Sequence, residues 1–313
     1  MAPERQHLKH ITGAPVSGNL RERQLVFVHV PKTAGTTLDR VLGAYVRMQG
    51  TVRLRATGTI YGQNFERNIP EAMDNLADFR KHELQAASIV SGHFPFNDRT
   101  VSSVAESAAF ITVLREPVAR AVSHFLFNAE RGLWAKESDL PDLRRAGLLI
   151  DNMQVRQLAG CTDPAETCDE KMLKQAMTNL DRHFAAVGRA DRFDEFLGSL
   201  VSLCGWPDII YSNFQVAKTE IEDSRLSSLR AQIKTMNEMD LCLFDKVKRQ
   251  GNVWLNKIGE GPAPKRDDTV LVASPLVRPK GQSVVAFPKS QLPDFVQLLN
   301  KSDLNLTRAG SVR

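Results

Sequence analysis

The chain is poor in the features that mark several broad protein classes. It has 4 cysteines among 313 residues, Cys161, Cys168, Cys204 and Cys242, with no CxxC pair and no Cys/His cluster at zinc-ligand spacing. That excludes a disulfide-dense mini-protein and the common zinc modules, and no bound metal is expected. His82-Glu83 opens like HExxH, but Ala86 stands where the second His would be. Cys161 and Cys168 bracket a short polar loop and could close a disulfide in an oxidising compartment; in the cytoplasm both are expected as thiols. Long apolar runs are missing as well. Leu25-Val26-Phe27-Val28 is among the longest, whereas a membrane-spanning helix needs ~20 residues. Residues 1–24 are polar and hold no apolar signal-peptide core. The expectation is a cytoplasmic protein with no integral membrane segment. Neither sign of charge dominates, since 41 Lys+Arg against 36 Asp+Glu leave a net +5. No basic stripe is interleaved with aromatics, so nucleic acid is not an expected partner, and anion binding must be argued from local motifs.

What is present is the balance of a soluble globular protein, with 42% hydrophobic and 25% charged residues. The length admits one domain or two. No repeat and no Pro/Gly linker interrupts residues 25–257, which predicts one main domain there. Residues 1–24 read as a loosely packed leader. Residues 258–313, rich in Pro, Lys and Ser, read as a peripheral tail with one short helix near 291–300.

Within the main domain, residues 25–30 form an apolar run that reads as a buried strand. Pro31 ends it, a loop of small residues follows, and Leu38, Val41, Leu42, Tyr45 and Val46 then recur as the apolar stripe of a helix. Further strands are expected at Ala87–Ser91, Ala109–Leu114 and His183–Gly188. The third of these four strands turns at Arg115-Glu116-Pro117 into a helix striped by Val118, Ala121, Val122, Phe125 and Leu126. A helix is expected over 169–181, another carries Phe193, Phe196, Leu197, Leu200 and Val201, and residues 225–257 look largely helical. The alternation predicts an α/β fold, a P-loop-like doubly wound domain with a central, mainly parallel sheet flanked by helices.

Two segments carry chemistry. In Pro31-Lys32-Thr33-Ala34-Gly35-Thr36-Thr37 a loop of small residues runs into a helix. Backbone N–H groups, the helix N-terminus, two Thr hydroxyls and one Lys charge combine there into a cradle for phosphate or sulfate. It is not a Walker A loop, because Lys32 precedes Gly35, and no GxGxxG occurs. In the second segment Arg115 closes a strand at the edge where open α/β sheets bind ligands. Ser123 follows eight residues later, off the apolar stripe, and an Arg fork plus a hydroxyl suits a terminal phosphate. Arg120 reads as an ion-pair residue.

These segments resemble known ones. His29-Val30-Pro31-Lys32-Thr33-Ala34-Gly35-Thr36-Thr37 is similar to the 5′-phosphosulfate loop of sulfotransferases, and Leu114 to Ser123 is similar to their 3′-phosphate segment. The likeness is greatest to carbohydrate sulfotransferases of the heparan sulfate 2-O-sulfotransferase group and its bacterial relatives. It extends over about residues 25–250, through Ser91-Gly92-His93-Phe94-Pro95, Asn152–Gly160 and Asn179–Phe196, with no family signal in 1–24 or 260–313. The resemblance implies a transferase using 3′-phosphoadenosine 5′-phosphosulfate (PAPS) and a hydroxyl-bearing acceptor such as a glycan. It implies that Lys32 meets the transferring sulfonate, that Thr33, Ala34, Gly35, Thr36 and Thr37 hold the 5′-phosphate, and that Arg115 and Ser123 hold the 3′-phosphate. His93 would be the general base, with His124 its rival. An imidazole near its ordinary pKa of ~6.5 suits proton removal at neutral pH, and a Lys suits the charge that grows on the leaving phosphate.

The acceptor side is less marked. Arg53, Arg55, Arg131, Lys136, Arg144 and Arg145 are candidates for an anionic acceptor, and Val216-Ala217-Lys218-Thr219 for a ligand wall. Two other classes compete with the transferase. A P-loop small-molecule kinase would need a Walker-B-type Asp at a strand end, where this chain has Arg115. A non-catalytic binder of adenosine 3′,5′-bisphosphate would bind without turnover.

Overall fold

The computed structural model describes residues 6–56, 72–73, 79–135, 137–146, 149–212, 223–256, 258, 262–277, 285–300 and 304–308. The first strand, β1 (Gln6–Ile11), precedes the apolar strand β2 (Leu25–Val28), whose four residues are all buried. Helix α1 (Gly35–Gln49) follows through the small-residue loop, then β3 (Arg53–Ala56), β4 (Ala72–Met73), α2 (Lys81–Ala86) and β5 (Ile89–Gly92). A short α3 (Asp98–Ser103) leads to the fully buried β6 (Ala109–Leu114), and α4 (Pro117–Glu130) starts with Pro in its first turn, as expected. Next come α5 (Leu140–Arg145), α6 (Met153–Ala159), α7 (Glu170–His183), β7 (Phe184–Arg189), α8 (Phe193–Leu203) and β8 (Asp208–Tyr211).

Strands buried on both faces read as continuous apolar runs, the pattern of a parallel sheet covered by helices. That is the arrangement here. The main sheet has the order β4-β3-β5-β2-β6-β7 and is parallel throughout these strands. Alternate side chains of β2 serve opposite faces. Leu25 and Phe27 join Leu38, Val41 and Leu42 of α1 and Phe196, Leu197 and Leu200 of α8. Val26 and Val28 join Val155 and Leu158 of α6 and Ala176 and Leu180 of α7. The chain passes from β2 outward to β3, returns through β5, and crosses to β6 on the other side. The carboxyl ends of β5, β2 and β6 therefore lie side by side, with Val28 in register with Gly92 and Phe27 with Ile111. Open α/β sheets bind ligands at such a switch in strand order.

The region 225–257 is helical in two pieces, α9 (Asp223–Met236) and α10 (Glu238–Arg249). It then ends in an edge strand, β9 (Trp254–Leu255), antiparallel to β7. A larger difference concerns the two ends of the chain. Residues 258–313, read from sequence as a peripheral tail, supply β10 (Thr269–Ala273), β11 (Val285–Pro288), α11 (Leu292–Asn300) and β12 (Leu304–Arg308). Of these, α11 matches the expected short helix. The strands build a second sheet of order β11-β10-β8-β1-β12, in which β1, from the expected leader, pairs with both β8 and β12. Leu8, Val270 and Leu271 are fully buried. The apolar run Val270-Leu271-Val272-Ala273 lies within strand β10, and its polar surroundings mask it in the sequence. No disulfide joins any of the four cysteines, Cys161 and Cys168 included. Among the described residues no helix is long and apolar enough to cross a membrane.

Candidate active site

The loop after β2 turns sharply. Lys32 and Ala34 both lie in the left-handed region, each with φ of 68°, an uncommon conformation for residues other than Gly and one that concentrates at functional sites. Thr33 is buried between them, and its Oγ1 donates to the Val30 carbonyl at 2.8 Å. That hydroxyl closes the loop, so ligand contact from Thr33 falls to its backbone. Gly35 is required by contact: a Cβ there would lie 2.0 Å from Cδ2 of the His29 ring. Helix α1 begins at this point with no side-chain cap and no acidic residue in its first turn, which leaves its positive end uncompensated. Thr36 is half-buried and Thr37 buried.

Lys32 reaches over to α4. Its Nζ stands 3.7 Å from the centroid of the Phe127 ring, and the Arg131 guanidinium lies 4.2 Å from the same ring. Arg115, half-buried at the end of β6, donates from Nη1 to the Lys32 carbonyl at 3.1 Å. Burial, together with the Arg115 and Arg131 charges and against the opposing pull of Glu130, lowers the Lys32 pKa to about 8. Burial also lowers that of Arg115. Glu116 caps α4, accepting from the Val118 and Ala119 amides at 3.0 and 2.7 Å. Ser123 is half-buried, one turn before Phe127 and on the same side of the helix.

Two α4 residues differ from expectation. Arg120 is fully buried, yet among the described residues its Nε, Nη1 and Nη2 have no hydrogen-bond partner and it forms no direct ion pair. Asp240 acts on it only through its charge, because the Asp240 oxygens accept from the Val155 and Gln154 amides at 2.7 and 3.2 Å. His124 has Nε2 3.0 Å from the Asn128 side-chain nitrogen, and its buried Nδ1 has no partner among the described residues. Burial first, then Arg120, Lys32 and His93, push its pKa down to about 3.

His93 follows Gly92, where β5 runs close to β3. With φ of 156° and a notional Cβ only 2.2 Å from the Ala56 carbonyl oxygen, position 92 admits Gly alone. The His93 amide donates to that same oxygen at 3.1 Å. Its ring Nδ1 lies 2.9 Å from the His29 carbonyl oxygen. A carbonyl only accepts, so Nδ1 carries the proton, and the neutral ring has its lone pair on Nε2. The His29 ring sits 4.2 Å from His93 and 5.1 Å from Phe27, centroid to centroid. Burial, then the charges of His93, Arg55 and Lys32, hold the His29 pKa well below the usual imidazole value.

Of the acceptor candidates, Arg131 alone is seen beside Lys32 among the described residues. Arg53 and Arg55 instead grip the buried Asp39 at 3.0 and 2.8 Å, and Ser91 donates to the same carboxylate at 2.8 Å. Arg144 pairs with Asp151 at 3.1 Å and Arg145 with Asp142 at 2.9 Å. Lys136 and Val216-Ala217-Lys218-Thr219 lie outside the described residues. Sequence reasoning gives no role to Phe127, nor to His29, Gln154 and Gln157, although the last three lie in segments that carry the resemblance. Phe127 carries a usable signal, an aromatic off the apolar stripe of α4; His29 and the glutamines are buried polar groups inside apolar elements. Among the described residues there is no cluster of three or more His, Cys, Asp or Glu side chains that could hold a metal ion.

Three adjacent strand ends, an uncapped helix start and a cluster of cations give this α/β protein a site suited to an anionic ligand. Residues 7–265 match the model of the galactose-3-O-sulfotransferase family, and the chain belongs to that family. The resemblance to carbohydrate sulfotransferases thus stands, with the galactose-3-O group as the matching model, and the match begins inside the expected leader. No curated protein matches the chain. Among solved structures it is similar to retinol dehydratase in complex with androsterone and the inactive cofactor PAP, at 13% identity and a TM-score of 0.29, over 76% of this chain and 74% of that one. A complex of retinol dehydratase with retinol and PAP matches at 14% identity and a TM-score of 0.29, over 76% and 75% of the two chains.

Proposed function

We propose that the protein transfers the sulfonate of PAPS to a carbohydrate hydroxyl, with the 3-hydroxyl of a galactosyl unit the first acceptor to test. The observation that carries this reading is that Lys32 and His93 follow the neighbouring strands β2 and β5, the His93 lone pair being set on Nε2 by the His29 carbonyl. The family match supplies the chemistry. In the proposed step His93 Nε2 takes the proton of the acceptor hydroxyl as its oxygen bonds to sulfur. The bond from sulfur to the 5′-phosphate oxygen breaks, and adenosine 3′,5′-bisphosphate leaves. Lys32 offsets the charge that grows on that oxygen. Lys32, the backbone of Thr33, Ala34 and Gly35, and Thr36 and Thr37 hold the 5′-phosphate; Arg115 and Ser123 hold the 3′-phosphate. His124 suits the base role less well, because its Nε2 lone pair faces the Asn128 amide and its pKa is pushed down to about 3. The kinase alternative would need a metal-holding Asp at the end of β6; Arg115 stands there, and the next residue, Glu116, is used to cap α4.

The test is differential stabilisation. Adenosine 3′,5′-bisphosphate at ~100 times its dissociation constant should add about 2.7 kcal/mol of stability and bind more tightly than AMP. Arg115→Ala should weaken the bisphosphate by about 1.5–3 kcal/mol and AMP much less. Stabilisation by Mg-ATP equal to or greater than that by the bisphosphate would contradict the reading and favour a kinase.

A further inference from the structure

Helix α6 lies beneath the site and touches none of the groups assigned to chemistry through its own charged side chains. It carries two glutamines three residues apart, Gln154 and Gln157, both fully buried. Gln154 pairs with the Arg115 backbone at both ends of its amide. Its Oε1 accepts from the Arg115 N–H at 3.0 Å, and its Nε2 donates to the Arg115 carbonyl at 3.0 Å. It takes the place of a neighbouring strand at the point where β6 stops. Gln157 uses its Nε2 twice, donating to the His29 carbonyl at 3.0 Å and the Phe94 carbonyl at 3.2 Å. Those carbonyls follow β2 and β5, and the first of them also receives the His93 Nδ1 proton.

The helix is itself pinned. Asp240 accepts from the Gln154 and Val155 amides, and Asn152, at a φ of 45°, exchanges hydrogen bonds with Asn237, Met236 and Asp240. The Gln157 Oε1 is buried with no partner among the described residues. An apolar side chain of the same shape would avoid that unsatisfied oxygen, so a Gln here makes sense through its two donors. Orientation is forced as well, since an amide oxygen turned towards two carbonyl oxygens would be repelled.

We propose that Gln154 and Gln157 are positioning residues that divide the site between them: Gln154 sets Arg115 for donor binding, and Gln157 sets His93 against His29 for proton removal. The proposal rests on the transfer reading above. A side chain that only stabilised the fold would weaken binding and turnover together. These two act on different strand ends, so their losses should separate. In Gln154→Met, affinity for adenosine 3′,5′-bisphosphate should fall about 10-fold, while kcat at saturating PAPS changes little. In Gln157→Met, kcat should fall about 10–100-fold, as expected when a reacting group is misplaced by a fraction of an ångström to an ångström, while bisphosphate affinity is kept.

Two readouts on the free protein need no ligand. The Arg115 amide should exchange with solvent faster in Gln154→Met. In Gln157→Met, nitrogen NMR should show His93 changing from one Nδ1-protonated tautomer to a mixture. Should a Met variant fail to fold, the Asn variant at the same position keeps the amide but falls short of its partners, and the same separation is expected in milder form. A wild-type chain that binds no bisphosphate would sink the transfer reading, and exchange and tautomer would then decide on the positioning alone. Parallel losses of affinity and turnover in both variants, or unchanged exchange and tautomer, would overturn the proposal.

Discussion

Lys32 faces the Phe127 ring with Arg115 and Arg131 close by, and its ammonium gives up its proton at about 8 against an ordinary 10.5. The sign follows from the lowered value. The folded protein holds this proton less tightly than the unfolded chain, so the charged Lys32 weakens the free fold below pH 8. That penalty lifts as pH rises from about 8 to 10.5. An anionic donor reverses the preference, because it favours the ammonium. Accordingly kcat/KM for PAPS should fall as pH rises through about 8, and bisphosphate binding at pH ~8.5 should take up a proton, read by calorimetry in buffers of different ionisation enthalpy. Lys32→Arg, charged throughout, should lose this limb. A limb that persists in Lys32→Arg would assign the titration to another group. At this scale the sequence shows which residues matter better than what each does. Gly35 is legible as a small loop residue, but that it makes room for His29 is not, and the Thr33 hydroxyl, a candidate donor on paper, closes its own loop.

Helix α4 is the element most fully legible in sequence. Pro in the first turn and the 118/121/122/125/126 stripe predict its start and its buried side, and Ala121, Val122 and Phe125 are indeed buried. The cap is supplied by Glu116, whose carboxylate takes two of the first amides. Glu116→Ala should cost about 1 kcal/mol, within the usual 0.5–2 kcal/mol for a lost cap, with Glu116→Gln milder because the amide oxygen still accepts. Urea denaturation reads the difference, and an unchanged midpoint in Glu116→Ala would show that Pro117 and tertiary contacts suffice. Strands β1, β10 and β12 are the contrary case. Periodicity reports a strand, but its partner must be found elsewhere in the chain. The partners of β1 are β8 and β12, with Gln6 in register with Leu304 of β12, and no local pattern joins residues so far apart. The polar composition around β10 hides a strand that is apolar from Val270 to Ala273, because composition averages over a window wider than the element.

Across the whole molecule, the parallel order β5-β2-β6 converts three loops that are distant in sequence into one site. Lys32, His93 and Arg115 can each be picked out from their local motifs, while their adjacency depends on strand order, which hydrophobic pattern does not encode. The glutamines of α6 lie in a segment that carries the resemblance, but their hydrogen bonds to these strand ends are not legible for the same reason. The account stands or falls on whether this assembled site moves a sulfonate. The direct measurement is transfer of radiolabelled sulfonate from PAPS to galactosyl acceptors by the wild-type chain, His93→Ala and Lys32→Ala, with calorimetric donor affinity alongside. The predicted result is turnover in wild type, a fall in kcat of ~10²–10⁴-fold in His93→Ala with donor affinity nearly unchanged, and loss of both in Lys32→Ala. Near wild-type kcat in His93→Ala would contradict it.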